Sequence, residues 1–177
     1  SAMERYPNSE GIQNACRDFC IPGICSYMSG RIYDETEQIK GLDLLASLGN
    51  RDEYEIFMEY DGAVASAVAA AMVRYPENEQ MQRTGIRNFA AFTSACCFED
   101  LEDDHWGEII RAVIGVMRRY PDDDDIQERS RTVFDANAVP SLCSYMRANL
   151  EDAAAQIICI GLFHRIDDGE IDEHIGI

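Results

Sequence analysis

The chain has 177 residues, 46% of them hydrophobic, which suffices for one domain with a buried core and excludes a disordered tail or a disulfide-stapled miniprotein. Asp and Glu number 33 against 15 Lys and Arg, a formal charge of -18, so a partner held by bulk electrostatics is basic, and wholesale binding to DNA, RNA or an anionic membrane is disfavoured. No run approaches the ~20 apolar residues of a membrane span, and no basic stretch leads into an apolar run as in a signal peptide, so the expectation is a soluble intracellular protein, cytoplasmic or nuclear.

Ser1-Ala2-Met3 reads as an expression scar before or around a start methionine and leaves open whether the chain is a piece of a longer protein. Next comes Arg5-Tyr6-Pro7, a polar run, then Ile12-Gln13, and the same nine-residue pattern recurs at Arg74 to Gln82 and at Arg119 to Gln127. The segment from Ile21 to Leu48, opening I-P-G-I-C-S-Y-M, matches the segment from Val139 to Ile166, opening V-P-S-L-C-S-Y-M. Aligned on glutamine, five segments follow one rule: Gln13, Gln38, Gln82, Gln127 and Gln156 precede by three a small residue (Cys16, Gly41, Gly85, Ser130, Cys159) and by seven an apolar one (Cys20, Leu45, Phe89, Phe134, Phe163). Three copies add Leu48, Phe92 and Ile166 at ten. These offsets share one face of an α-helix, with the small residue where a neighbouring helix crosses closely.

Glu55 to Tyr60 predicts a short helix before Asp61-Gly62. Val64 to Val73 and Ile109 to Met117 predict helices that end at R-Y-P, where proline stops the helix and opens a turn. The acidic residues that follow, Asp122 to Asp125 among them, sit at the start of the next helix and complement its partial positive charge. Glu99 to Trp106 reads as a solvated acidic loop, whose His105 among carboxylates mimics a metal site without the spacing of one. Asp167 to Glu173 likewise lacks the spacing of a calcium loop.

The seven cysteines (Cys16, Cys20, Cys25, Cys96, Cys97, Cys143, Cys159) contain no C-x-x-C pair, and most are expected to be reduced, small, buried residues rather than a disulfide framework or zinc module. The sequence carries no phosphate-loop, dinucleotide, nucleophile-elbow or metalloprotease motif. The expectation is a chain that is not an enzyme and holds no metal or cofactor.

The repeated segments resemble the armadillo repeat and, more loosely, the HEAT repeat. Glu55 to Val64 looks like the first helix, glycine turn and start of helix two; Cys20-Ile21-Pro22-Gly23-Ile24 and Ala138-Val139-Pro140-Ser141-Leu142 look like the family's G-I-P-A-L opening; the Gln-x-x-small-x-x-x-Leu segment looks like helix three. The glutamines are spaced 25, 44, 45 and 29 residues apart, against a family unit of about forty, so the first and last junctions are abbreviated. The resemblance implies an all-α, right-handed α-solenoid of about four to five units, approximately 4–20, 21–50, 52–98, 99–137 and 138–177.

In that family the groove lined by helix three binds extended peptides. Members that bind basic localisation signals carry Trp and Asn five and nine residues after the glutamine; here those positions hold Asp18, Asp43, Arg87, Thr132 and Gly161, and Pro22, Ser47, Ala91, Ala136 and Arg165, so that ladder is absent. Arg83, Arg87, Arg129 and Arg165 are candidate sites for an acidic side chain or C-terminal carboxylate, the alternative being that they only solubilise helix faces and pair with the many carboxylates. The expected partner surface comprises Asp18, Asp43, Ser47, Arg83, Arg87, Arg129, Thr132 and Arg165. Two functions are expected: a non-catalytic scaffold binding a protein or peptide, basic by charge, or a structural spacer or self-association segment of a longer solenoid, suggested by the abbreviated first unit and the apolar Ile175-Gly176-Ile177.

Overall fold

The computed structural model describes residues 10–49, 60–94, 101–134 and 138–174. Among them are eight α-helices and no strand: α1 (Glu10–Gly30), α2 (Glu35–Gly49), α3 (Asp61–Arg74), α4 (Glu79–Ser94), α5 (Asp103–Arg119), α6 (Asp124–Arg131), α7 (Val139–Ala148) and α8 (Ala153–His174). The helix expected over 55–60, apart from Tyr60, and the tail 175–177 lie outside the described residues.

The odd-numbered helices pack in chain order, α1 on α3, α3 on α5 and α5 on α7; α2 packs on α4 and α4 on α6 in the same way. Each odd helix also meets the even helix that follows it, and α8 reaches back to α5. The alanine-rich α3 is buried along Val64, Ala65, Ala67, Val68, Ala69, Ala71 and Met72, because short side chains let α1 and α5 approach it from two sides. The residues seven after each glutamine behave as expected in the middle of the chain: Leu45, Phe89 and Phe134 are buried, and Phe163 is partly so. Full burial of one such side chain contributes about 1.5–3 kcal/mol.

One junction is built four times, and it explains the glutamine. An odd helix ends, a three-residue turn follows, and the residue four before the glutamine caps the next helix. Asp34, Asn78, Asp123 and Asp152 accept from the backbone N–H three residues on, at 3.2, 2.8, 3.0 and 3.0 Å. The glutamine Nε2 then donates back to two carbonyls at the end of the preceding helix, groups a helix end leaves without partners. Gln38 reaches Met28 and Arg31 (2.7 and 3.0 Å), and Gln82 reaches Met72 and Tyr75 (both 2.9 Å). Gln127 reaches Met117 and Tyr120 (both 3.0 Å), and Gln156 reaches Met146 and Asn149 (2.8 and 2.9 Å).

The small residue three after the glutamine has an equally local cause. A Cβ added to Gly41 would overlap the Met28 side chain, with Sδ at 2.6 Å, and one added to Gly85 would overlap Met72, with Cγ at 2.6 Å. Met28, Met72, Met117 and Met146 each stand ten residues before their glutamine. A thioether laid across a helix with no side chain at the crossing lets the two helices of the hairpin close.

The structure departs from expectation at three places. Where Cys20-Ile21-Pro22 reads as a helix boundary, α1 runs unbroken with Pro22 inside it. Proline removes one N–H bond and favours a bend, yet its fixed φ is helical, so packing can carry a helix through it. The acidic loop from Glu99 is helical from Asp103: its carboxylates open α5, and Trp106 is buried beside Phe134, ring centroids 6.3 Å apart. Finally, α6 stops at Arg131, so Phe134 reaches the core from beyond the helix; the Thr132 hydroxyl donates to the Arg129 carbonyl at 2.8 Å and closes the last turn.

Candidate partner surface on the even-numbered helices

Five residues after the glutamine, Asp43, Arg87, Thr132 and Gly161 are all exposed, while the residues two further on turn inward. The register therefore gives α2, α4, α6 and α8 one outward face. Between α4 and α6 it sinks into a concavity of about 620 Å³, open to solvent and lined by Arg87, Ala90, Ala91, Asp125, Glu128, Arg129 and Thr132. Ala90 and Ala91 of α4 form the apolar part of its lining.

Three expected site residues, Arg87, Arg129 and Thr132, meet there. Asp43 and Ser47 lie exposed on α2 and do not line it; the Ser47 hydroxyl donates to the Leu44 carbonyl at 2.7 Å. The side chains of Asp18 and Arg165 lie outside the described residues, as do those of Cys16, Cys96 and Cys97. Among the described residues Cys20, Cys25, Cys143 and Cys159 are free thiols, and burial pushes Cys25 and Cys159 up to about 11.

Arg83 is occupied. It bonds Glu79 of its own helix at 2.8 Å, Asp123 across the gap to α6, and lies 3.6 Å from Asp125. The Glu79 hydrogen bond, then the nearby Asp123 charge, raise its guanidinium further; the Ile126 N–H and then Arg83 hold Asp123 below the usual carboxylate range. Arg118 engages Asp152, the cap of α8, at 2.6 Å, and Arg119 pairs with Glu77. These arginines staple one hairpin to the next.

Inside the concavity each carboxylate has a cation: Asp125 pairs with Arg129 at 2.7 Å and Glu128 with Arg131 at 3.5 Å. Arg87 differs. Among the described residues its guanidinium forms no ion pair or hydrogen bond. A planar fork of donors left open beside an apolar wall suits a carboxylate, which it can take through two parallel bonds. A second concavity, of about 470 Å³ at the α3–α4 turn, is acidic, but Glu35, Glu77 and Glu79 already engage Asn78, Arg119 and Arg83.

The fold also joins Ser66, His105 and Glu108, residues 39 and 42 positions apart. Ser66 Oγ donates to Glu108 Oε2 at 2.6 Å and lies 3.1 Å from His105 Nδ1. A hydroxyl has one proton; with it given to Glu108, Nδ1 must donate to Oγ, so the imidazole is not a base toward this serine. His105 also lies against Gly62, where an added Cβ would come within 2.5 Å of Nε2, and the trio ties α3 to α5. His105 thus belongs to a packed helix pair rather than a solvated loop. Among the described residues no group of three or more His, Cys, Asp or Glu could hold a metal ion, and no helix is long and apolar enough to cross a membrane.

Comparison with known proteins gives no lead to the function: no family model, no curated protein and no solved structure matches the chain.

Proposed function

We propose that the chain is an armadillo-like, right-handed α-solenoid of about four to five units that serves as a non-catalytic interaction scaffold, taking an extended segment of a protein or peptide partner along the exposed face of the even-numbered helices. The concavity between α4 and α6 carries this reading, because Arg87 stands there with no ion pair or hydrogen bond among the described residues. The recurring junction supports the repeat, since four copies of one cap and one glutamine clamp are what stacked hairpins of a single pattern require. The ligand is a segment of net positive charge, drawn by the charge of -18, that places one carboxylate on Arg87.

The test is selection of displayed random peptides on the wild-type chain with counter-selection on Arg87→Glu, followed by anisotropy titration at low and high salt. Enrichment of basic segments with a fixed acidic position, bound more weakly as salt rises, is expected. Equal recovery on both proteins would contradict the reading.

A second reading, a spacer or self-association segment, is favoured by Leu150 in the α7–α8 turn and Ile157 and Ile160 of α8, each of which is exposed.

A further inference from the structure

Position relative to the glutamine decides which neighbour an even-helix side chain meets. Six residues after it, Asn88 is buried and donates from Nδ2 to the Leu42 carbonyl of the preceding even helix at 3.1 Å. Val133, at the same position beside α6, is buried too, and its carbonyl accepts from Thr93 of α4 at 3.1 Å. The sixth position thus faces the previous hairpin. Four residues after the glutamine, Leu42 and Ile86 are fully buried, and the Leu42 carbonyl receives Asn88 of the following helix.

At the two ends of the described row of even-numbered helices these positions are apolar and open. Leu44, in the sixth position of α2, is 53% exposed, whereas Asn88 and Val133 are closed off. Ile160, in the fourth position of α8, is 49% exposed, whereas Leu42 and Ile86 are closed off; Ile157, one turn before it, and Leu150, in the turn that leads into α8, are 70% and 72% exposed. The exposed aromatics have cover of another kind, Arg31 lying over Tyr27 and Arg74 over Tyr33.

We infer that the two ends are the halves of one interface, and that a second copy of this chain sets its Leu44 end against the Leu150, Ile157 and Ile160 end of the first. The contact would continue between chains the fourth-to-sixth-position packing that joins α2 to α4 within one. It is heterologous, so each added copy leaves a free end and growth is open. The inference rests on the repeat and on the self-association reading, and is independent of the Arg87 concavity.

Sedimentation velocity from micromolar to hundreds of micromolar tests it. Two chains of -18 repel, so association strengthens with salt as the Debye length falls from about 10 Å at 0.1 M to about 3 Å at 1 M, opposite in sign to binding a basic peptide. Wild type should grow with concentration, and Arg87→Glu should grow equally at 1 M salt, where its added negative charge is screened. Leu44→Asp alone and Ile157→Asp/Ile160→Asp alone should stay monomeric, while an equimolar mixture of the two, each retaining the end the other lacks, should give a dimer that does not grow. The changed side chains are exposed, and Leu44→Ser with Ile157→Ser/Ile160→Ser repeats the test should an aspartate variant lose helicity. Wild type that remains monomeric throughout, or mixed variants that fail to pair, would overturn the inference.

Discussion

Gln82→Ala is the most informative single change to the fold. Gln82 is 2% exposed, and its Nε2 holds the Met72 and Tyr75 carbonyls at 2.9 Å each. The bond to Met72 is buried, so its acceptor loses its partner with no water to replace it, a loss of about 1–3 kcal/mol; the bond to Tyr75 is only partly buried and contributes about 0.5–1.5 kcal/mol. The one methylene removed, Cγ, adds about 0.8 kcal/mol, so the total is about 2–5 kcal/mol of a stability that for a domain is about 5–15 kcal/mol. Gln127 makes the equivalent two bonds, both only partly buried, and Gln127→Ala should cost about 1–3 kcal/mol. Gln82→Glu adds a pH signature, because a carboxylate aimed at two carbonyls at a helix C-terminus is held protonated, its folded pKa above the unfolded value. Such a group binds a proton on folding between the two pKa values, so the variant loses stability relative to wild type as pH rises through that window and regains it as pH falls to about 4. Urea denaturation followed by helicity gives all three numbers. A loss under about 0.5 kcal/mol for Gln82→Ala, or a larger loss at Gln127, would refute the clamp.

The other expectations follow from single contacts. Gly85→Ala should destabilise by about 1–3 kcal/mol by driving Cβ into Met72, whereas Gly115→Ala on α5, with nothing within 4 Å, should stabilise by about 0.5–1 kcal/mol; thermal melts that show the same sign for both would contradict the crossing. The Ile126 N–H and Arg83 hold Asp123 below its ordinary range, so its stabilisation is present above the unfolded carboxylate pKa and is lost as pH falls through the lower folded value. Asp123→Asn should lack that part of the acid transition, and an unchanged acid limb would argue against the staple. Cys25 and Cys159, buried and pushed up to about 11, should stay unmodified by iodoacetamide in the native protein while Cys20 and Cys143 react; mass spectrometry finding uniform labelling would show that the core opens readily.

The sequence made the periodicity legible and hid its cause. The glutamine and the small residue after it stand out by spacing, but what Nε2 touches lies seven and ten residues back, where only an alignment read upstream shows Met28, Met72, Met117 and Met146 in register. The caps were half visible: Asp34, Asn78 and Asp123 all sit among acidic residues, but what singles each of them out is its place four before the glutamine. Pro22 misled because proline marks a boundary in most contexts, and the run from Glu99 misled because carboxylates favour loops and helix starts alike. At the surface, register alone brought out Arg87 and Thr132. That Arg83 is engaged depends on Asp123, forty residues on, which local pattern cannot supply. The same holds for Ser66 and His105.

The most direct test of the proposed scaffold compares two arginines. Arg87 lines the concavity on α4, and Arg111 is exposed on α5 in the other row. Anisotropy titration of a selected peptide against wild type, Arg87→Glu and Arg111→Glu separates a site from bulk charge, since both variants shift net charge equally. Affinity that falls at least about tenfold for Arg87→Glu, about 1.4 kcal/mol, and stays within about twofold for Arg111→Glu is the predicted result. Equal losses at both positions would contradict it.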